Sequence, residues 1–237
     1  MQDYSKFQAF ALARFDFTFD NPEVFITALT HRSYMNEHKK SAKEHNERLE
    51  FLGDAVLELV VTEYLYLNYS EPEGILTNWR AALVRTESIS AAGARLGLDE
   101  LIRLSRGEKQ GSERAKQQIL ANAFEAVIGA IYLDKGYDVA KEFIHKNILS
   151  TLEEILASGS WRDPKSRLQE VAQSVDSQTP VYKVLEEIGP DHDKIFTLGV
   201  FIGGKLKGKG NGPSKQSAQQ EAAKAALAKY EEQKSPR

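Results

Sequence analysis

The sequence predicts two domains of different class: an all-α N-terminal domain, then a small α+β domain with the order α-β-β-β-α. Three observations predict this. Apolar residues recur at helical spacing through roughly the first 150 residues, with no convincing strand among them. The small-residue run Ala157-Ser158-Gly159-Ser160 then reads as a short flexible linker. After it come β-rich runs framed by two helical segments, the pattern of helices packed on one face of a small antiparallel sheet. The expected boundaries are 1–152 for the first domain, 153–162 for the linker and 163–233 for the second domain.

Phe7, Phe10, Ala11 and Phe15 open the first helical pattern. Asn21-Pro22 supplies a cap and a first-turn proline for a second helix, which carries Phe25, Ala28 and Leu29. A long helix is expected from about Glu44 to Leu67, because few breakers interrupt it. Further helices are expected near 73–87, 87–96, 98–103, 114–134 and 137–157, with Gly97 and Gly136 as stops. In the second domain Asp163 to Ser174 reads as a helix. Val181 to Glu187 and Lys194 to Ile202 read as strands, parted by the turn Gly189-Pro190-Asp191. Lys205 to Lys209 is a third strand. Ser214 then caps a final helix with Ala218, Ala222, Ala223, Ala226 and Leu227 on one side.

Composition removes several classes of function. None of the 237 residues is cysteine, which excludes a disulfide framework, a thiolate zinc site and a cysteine nucleophile together. The lack of cysteine fits a reducing cytoplasm. No apolar run is long enough for a membrane span. The N-terminus lacks the basic region and apolar core of a signal peptide. The net charge of −3 hides an asymmetry: 18 Lys and Arg against 24 Asp and Glu up to residue 159, then 13 against 10 from Ser160 onward. Such a split suits a cation-binding catalyst tethered to a polyanion binder, or is ordinary scatter of surface charge.

The segment Asn46 to Leu57, NERLEFLGDAVL, carries the most chemistry. Glu47, Glu50 and Asp54 stand at i, i+3 and i+7, within about 60° of one another on a helix. Leu49, Phe51, Leu52, Ala55, Val56 and Leu57 wrap the rest in apolar surface, so the helix is expected to be largely buried. Like charges on a buried helix need cations nearby, either Arg and Lys (Arg32 and Arg48 are at hand) or a metal. A second segment, Ile119 to Leu133, is almost wholly apolar except for Asn122 and Glu125. If the two helices pack face to face, Glu47, Glu50, Asp54, Asn122 and Glu125 converge. All-oxygen clusters suit hard ions such as Mg²⁺ or Mn²⁺. A carboxylate-bound Mg²⁺ is what phosphodiester hydrolysis needs.

Four blocks then match a known pattern: LTHRSY at 29–34, HNERLEFLGDAVL at 45–57, Glu73-Gly74 with Leu76, Thr77, Arg80, Ala81, Leu83 and Val84, and AFEAVIGAIYLDKG at 123–136. In this order they resemble the ribonuclease III family, and the C-terminal part resembles the double-stranded RNA-binding domain that follows in its bacterial members. The resemblance implies an all-helical nuclease domain working as a homodimer, with double-stranded RNA as substrate and Mg²⁺ as cofactor, for which Mn²⁺ substitutes. Glu50, Asp54 and Glu125 fall on the family's metal-binding and catalytic carboxylates, Asp54 and Glu125 being the most sensitive. Glu47 falls on a further acidic position at the cleavage site. Phe51 matches an aromatic that packs across the dimer interface. Asn122 departs from the family's usual Asp; its side-chain oxygen can still ligate Mg²⁺, with one negative charge fewer. The implied activity is endonucleolytic cleavage to 5′-phosphate and 3′-hydroxyl ends, in ribosomal RNA precursors and messenger RNA. The alternative is a non-cleaving RNA-binding regulator with a weakened site, for which Asn122 is the sole support.

Duplex RNA is read through its shape, its 2′-hydroxyls and its phosphates. Gln169 and Glu170 resemble minor-groove readers, and His192 resembles a second minor-groove contact. Lysines in the segment 205–215 suit phosphates, Lys209 and Lys215 foremost. Gly203 to Gly210 has the outline of a phosphate-binding loop, but Gly210 follows Lys209 where Ser or Thr is needed, so no nucleotide cofactor is expected. The five histidines, His31, His38, His45, His145 and His192, show no paired metal spacing.

Overall fold

The computed structural model describes residues 4–38, 44–159, 161–190 and 194–234. The chain divides into two compact units, Met1–Trp161 and Arg162–Arg237. No helix among the described residues is long and apolar enough to cross a membrane.

The first unit is helical: α1 (Ser5–Phe15), α2 (Pro22–Ala28), α3 (Arg32–Glu37), α4 (Glu47–Asn68), α5 (Glu73–Val84), α6 (Thr86–Leu96), α7 (Arg106–Lys109), α8 (Glu113–Lys135), α9 (Tyr137–Asn147) and α10 (Leu152–Ser158). Asn21 caps α2 by accepting from the Glu23 N–H, with Pro22 at the first helical position. The carboxylate of Asp134 accepts from the N–H groups of Asp20 and Asn21 at 2.8 Å each, which ties the start of α2 to the end of α8. At the centre α4 lies against α8, and Leu57, Val60, Val61, Phe124, Ile128 and Ile131 are fully buried between them and their neighbours. Each such side chain contributes about 1.5–3 kcal/mol relative to exposure. Trp79 on α5 meets Trp161 edge-on, with ring centres 5.9 Å apart.

Five sequence expectations need correction. The long helix begins at Glu47, not Glu44. Asn46 is buried, and its N–H donates to the Thr30 carbonyl at 2.9 Å, which holds the chain before α4 against the end of α2. Residues 98–103 form a single 3₁₀ turn, Leu98–Glu100, and not a helix. Past that turn the Arg103 N–H donates to the Leu29 carbonyl at 2.7 Å, and the His31 N–H donates back to the Arg103 carbonyl at 3.1 Å. The backbone is thus drawn into a bridge between Thr30 and Arg103. The helix expected over 137–157 breaks after Asn147; a 3₁₀ turn, Leu149–Thr151, redirects the chain so that Ile148, Leu149 and Leu152 are all buried. The stretch 153–158, expected as linker, is helical within α10, and Ile155 is buried. Finally, α4 is not largely buried: Phe51, Leu59, Tyr66 and Leu67 are 57–80% exposed.

The second unit holds α11 (Pro164–Asp176), β1 (Val181–Ile188), β2 (Ile195–Ile202), β3 (Lys205–Gly212) and α12 (Lys215–Lys234). Asp163 caps α11, accepting from the N–H groups of Lys165 and Ser166 at 2.9 Å. The Ser214 hydroxyl accepts from the Ser217 N–H at 3.1 Å and caps α12. The strands form one antiparallel sheet in the order β1-β2-β3. Leu168, Ala172, Val200, Ile202, Ala222, Ala223, Ala226, Leu227 and Tyr230 make its core. The third strand runs past the expected Lys209 to Gly212. Pairing with β2 carries it there, Gly210, Asn211 and Gly212 lying opposite Leu198, Thr197 and Phe196; a Cβ on Gly208 or Gly210 would overlap the backbone of α12 at Ala222, so only glycine lets helix and strand lie this close.

Candidate active site

Two helices supply the acidic residues. Glu47, Glu50 and Asp54 lie on α4, Asn122 and Glu125 on α8. Glycines set the approach of these helices. A Cβ on Gly53 would overlap the Glu125 carbonyl and stand 2.9 Å from the Gly129 nitrogen. A Cβ on Gly129 would overlap the Leu49 carbonyl. The backbones therefore touch directly, and Glu125 is held opposite the turn of α4 that carries Glu50 and Asp54. Sequence reasoning missed both glycines, though a glycine inside each of two otherwise apolar helices was a signal for close packing.

The electrostatics separate the acids. Burial pushes the Glu125 carboxyl up to about 8, and the charges of Asp54 and Glu50 push the same way. Burial also raises Glu50, with Glu47 and Asp54 adding to it, while a hydrogen bond from the Asn122 side chain acts against them. Among the described residues, no Lys, Arg or His pairs with Glu50, Asp54 or Glu125. Glu47 is different: Arg32 Nη1 stands 3.5 Å from one of its oxygens and His45 Nδ1 3.8 Å from the other. Of the two explanations open for the acidic face, ion pairing thus answers for Glu47 and, among the described residues, leaves the other three without a basic partner.

Those three suit a hard divalent cation by donor chemistry, being all oxygen and mutually repulsive. Geometry is looser than chemistry here. No group of three His, Cys, Asp or Glu side chains among the described residues is placed to hold a metal ion together. Asn122 has its Oδ1 engaged, accepting from Gln118 Nε2 at 2.7 Å. Gln118 did not figure among the expected site residues, since by its sequence alone it looks like any exposed polar side chain on α8.

Phe51 is 80% exposed, one position beyond Glu50. It borders a surface cavity of about 750 Å³ whose apolar lining includes Val24, Leu49, Leu52 and Leu133.

In the second unit Gln169 and Glu170 are exposed on α11, and Lys209 is exposed on β3. Lys207, by contrast, turns to Asp176 at 3.8 Å and lies over the Tyr230 ring. Lys215 opens α12, with Nζ 3.2 Å from Glu187 and 5.5 Å from the centre of the Phe196 ring. His192 lies outside the described residues.

Comparison with known proteins agrees with this division. Residues 21–152 match the family model described as ribonuclease-III-like, and residues 164–230 match the double-stranded RNA binding motif. A ribonuclease 3 of Desulforamulus reducens is 43% identical over 215 residues, covering 90% of this chain and 87% of that protein. A ribonuclease 3 of Carboxydothermus hydrogenoformans is 44% identical over 212 residues, covering 89% and 90%. Among solved structures, the nuclease domain of ribonuclease III from Campylobacter jejuni superposes with a TM-score of 0.52 at 41% identity, covering 58% of this chain and 96% of that one. That structure is described as showing flexibility in a region involved in dimer formation.

Proposed function

Since the chain belongs to the ribonuclease III family and is an endoribonuclease of double-stranded RNA, we propose that Glu50, Asp54 and Glu125 form its hydrolytic centre and hold Mg²⁺ there, Mn²⁺ substituting. The observation that carries this reading is Glu125: it faces Asp54 and Glu50 with no basic side chain among the described residues to offset the charge. A bound Mg²⁺ supplies the Lewis acid for the scissile phosphate and for the attacking water. Asp54 is the exposed member of the set and the one best placed to meet substrate. Glu125 is the more deeply set member; burial first, and the charges of Asp54 and Glu50 after it, push its carboxyl up to about 8. Glu47, tied to Arg32, is proposed to act at the cleavage site and not as a tight ligand.

The proposed products carry 5′-phosphate and 3′-hydroxyl ends, with precursor ribosomal RNA and structured messenger RNA as cytoplasmic substrates. The working form is proposed to be a homodimer built about the exposed Phe51. Gln169, Glu170, Lys209, Lys215 and His192 are proposed to bind the duplex. A non-cleaving RNA-binding regulator, which Asn122 alone would favour, is less well supported, because Glu50, Asp54 and Glu125 are all present.

The test is cleavage of a labelled perfect RNA duplex with Mg²⁺ and with EDTA, beside Asp54→Ala. Mg²⁺-dependent cutting into short duplexes, lost in the variant, is the expected result. Duplex binding without cutting at any Mg²⁺ or Mn²⁺ concentration overturns the proposal.

A further inference from the structure

We propose that Gln118 is a positioning residue of this centre: it holds Asn122 with its amide nitrogen turned to Glu50, so that Asn122 orients Glu50 and does not itself bind the cation. This rests on the reading of Glu50, Asp54 and Glu125 as the metal-binding set.

The hydrogen bond from Gln118 sets the direction of the Asn122 amide. Gln118 lies one helical turn before Asn122 on α8, and its Nε2 donates to Asn122 Oδ1 at 2.7 Å. An asparagine side chain has one oxygen and one NH₂ group. With the oxygen turned to Gln118, the NH₂ group is what remains for Glu50, and Asn122 favours the charged form of that carboxylate. To present Oδ1 to a cation, the amide would have to rotate. Rotation breaks the Gln118 Nε2–Asn122 Oδ1 hydrogen bond and sets Oδ1 against the Glu50 oxygens, two acceptors facing each other. The Gln118–Asn122–Glu50 chain therefore orients a carboxylate in the manner of the outer groups that steer metal ligands. An aspartate at 122 has no hydrogen to donate, so the device depends on asparagine.

Gln118 is exposed and outside the hydrophobic core, so Gln118→Ala leaves the helix intact. The experiment measures Mn²⁺ uptake by the full-length protein without RNA, from the loss of the free Mn²⁺ electron paramagnetic resonance signal. It compares wild type, Gln118→Ala, Asn122→Ala and the double variant. Gln118→Ala is expected to weaken binding about tenfold, and to have no effect when Asn122 is already alanine. Unchanged or tighter binding by Gln118→Ala overturns the proposal, as does an equal loss in the Asn122→Ala background. Complete loss of uptake in Asn122→Ala overturns it too, because it would make Asn122 a ligand. If wild type takes up no Mn²⁺, the metal reading itself fails, and this inference fails with it.

Discussion

Gly53 packs against the backbone carbonyl of Glu125, so closely that no side chain fits between α4 and α8 at that level. The contact is what delivers an acid on one helix to two acids on the other. It is also unforgiving, because the obstruction on either side is backbone and has no rotamer to change.

Gly129→Ala is therefore expected to force α4 and α8 apart and to destabilise the first unit by about 1–3 kcal/mol. Cleavage should fall with it, since Glu125 retreats from Asp54. A melt of the variant beside wild type checks the first point and a duplex-cleavage assay the second. An unchanged melting temperature would contradict the close packing.

Stability should depend on pH through Glu125. The unfolded chain releases this proton near the ordinary value of 4.5, while the folded chain keeps it to about 8. Between those values the native state binds the extra proton, so stability falls as pH rises, by up to about 1.4 kcal/mol per pH unit, and levels off above 8. Glu50, raised for the same reason, adds to the slope. Urea unfolding of metal-free protein from pH 4.5 to 8.5 should show the decline, and Glu125→Gln should flatten it.

Phe51→Asp is expected to break the proposed dimer. Burying one phenylalanine contributes about 1.5–3 kcal/mol, and each 1.4 kcal/mol is about tenfold in the dissociation constant. A dimer loses one such contact from each protomer, so sedimentation should show wild-type dimer and variant monomer at the same concentration.

Lys209→Ala and Lys215→Ala should weaken duplex binding for all RNA sequences alike and lower the salt dependence, each by a slope of about one if one phosphate contact is lost. Gln169→Ala should weaken binding with little change in that slope. Binding curves at several salt concentrations distinguish the two classes. Equal slopes for wild type and both lysine variants would remove these lysines from the phosphate contacts.

The fold class and the order of elements were legible because each element carries its own signal. Asn21-Pro22, Asp163-Pro164 and Ser214 announce helix starts that the structure places there. What the sequence hid is decided at a distance. The break after Asn147 exists because Ile148 and Leu152 are both buried, and the loss of helix at 101–103 because Arg103 bonds to the α2–α3 turn. In the site, the spacing of Glu50, Asp54 and Glu125 was readable, since acids in apolar helices stand out. Arg32 was in view as a partner for the acidic face, but that it serves Glu47 and not the other three was hidden, because the choice depends on how α3 sits beside α4. The direction of the Asn122 amide was hidden for a similar reason: it follows from Gln118 on one side and Glu50 on the other.

The ring contact between Trp79 and Trp161 has a practical consequence. These are the chain's two tryptophans, and both belong to the first unit. Indole emission is thus blind to the second unit, whose aromatic residues are tyrosine and phenylalanine, while far-ultraviolet circular dichroism registers helix loss in both. Where the two thermal traces part, the gap between them is the melting of the RNA-binding unit, seen without a label and without cutting the chain.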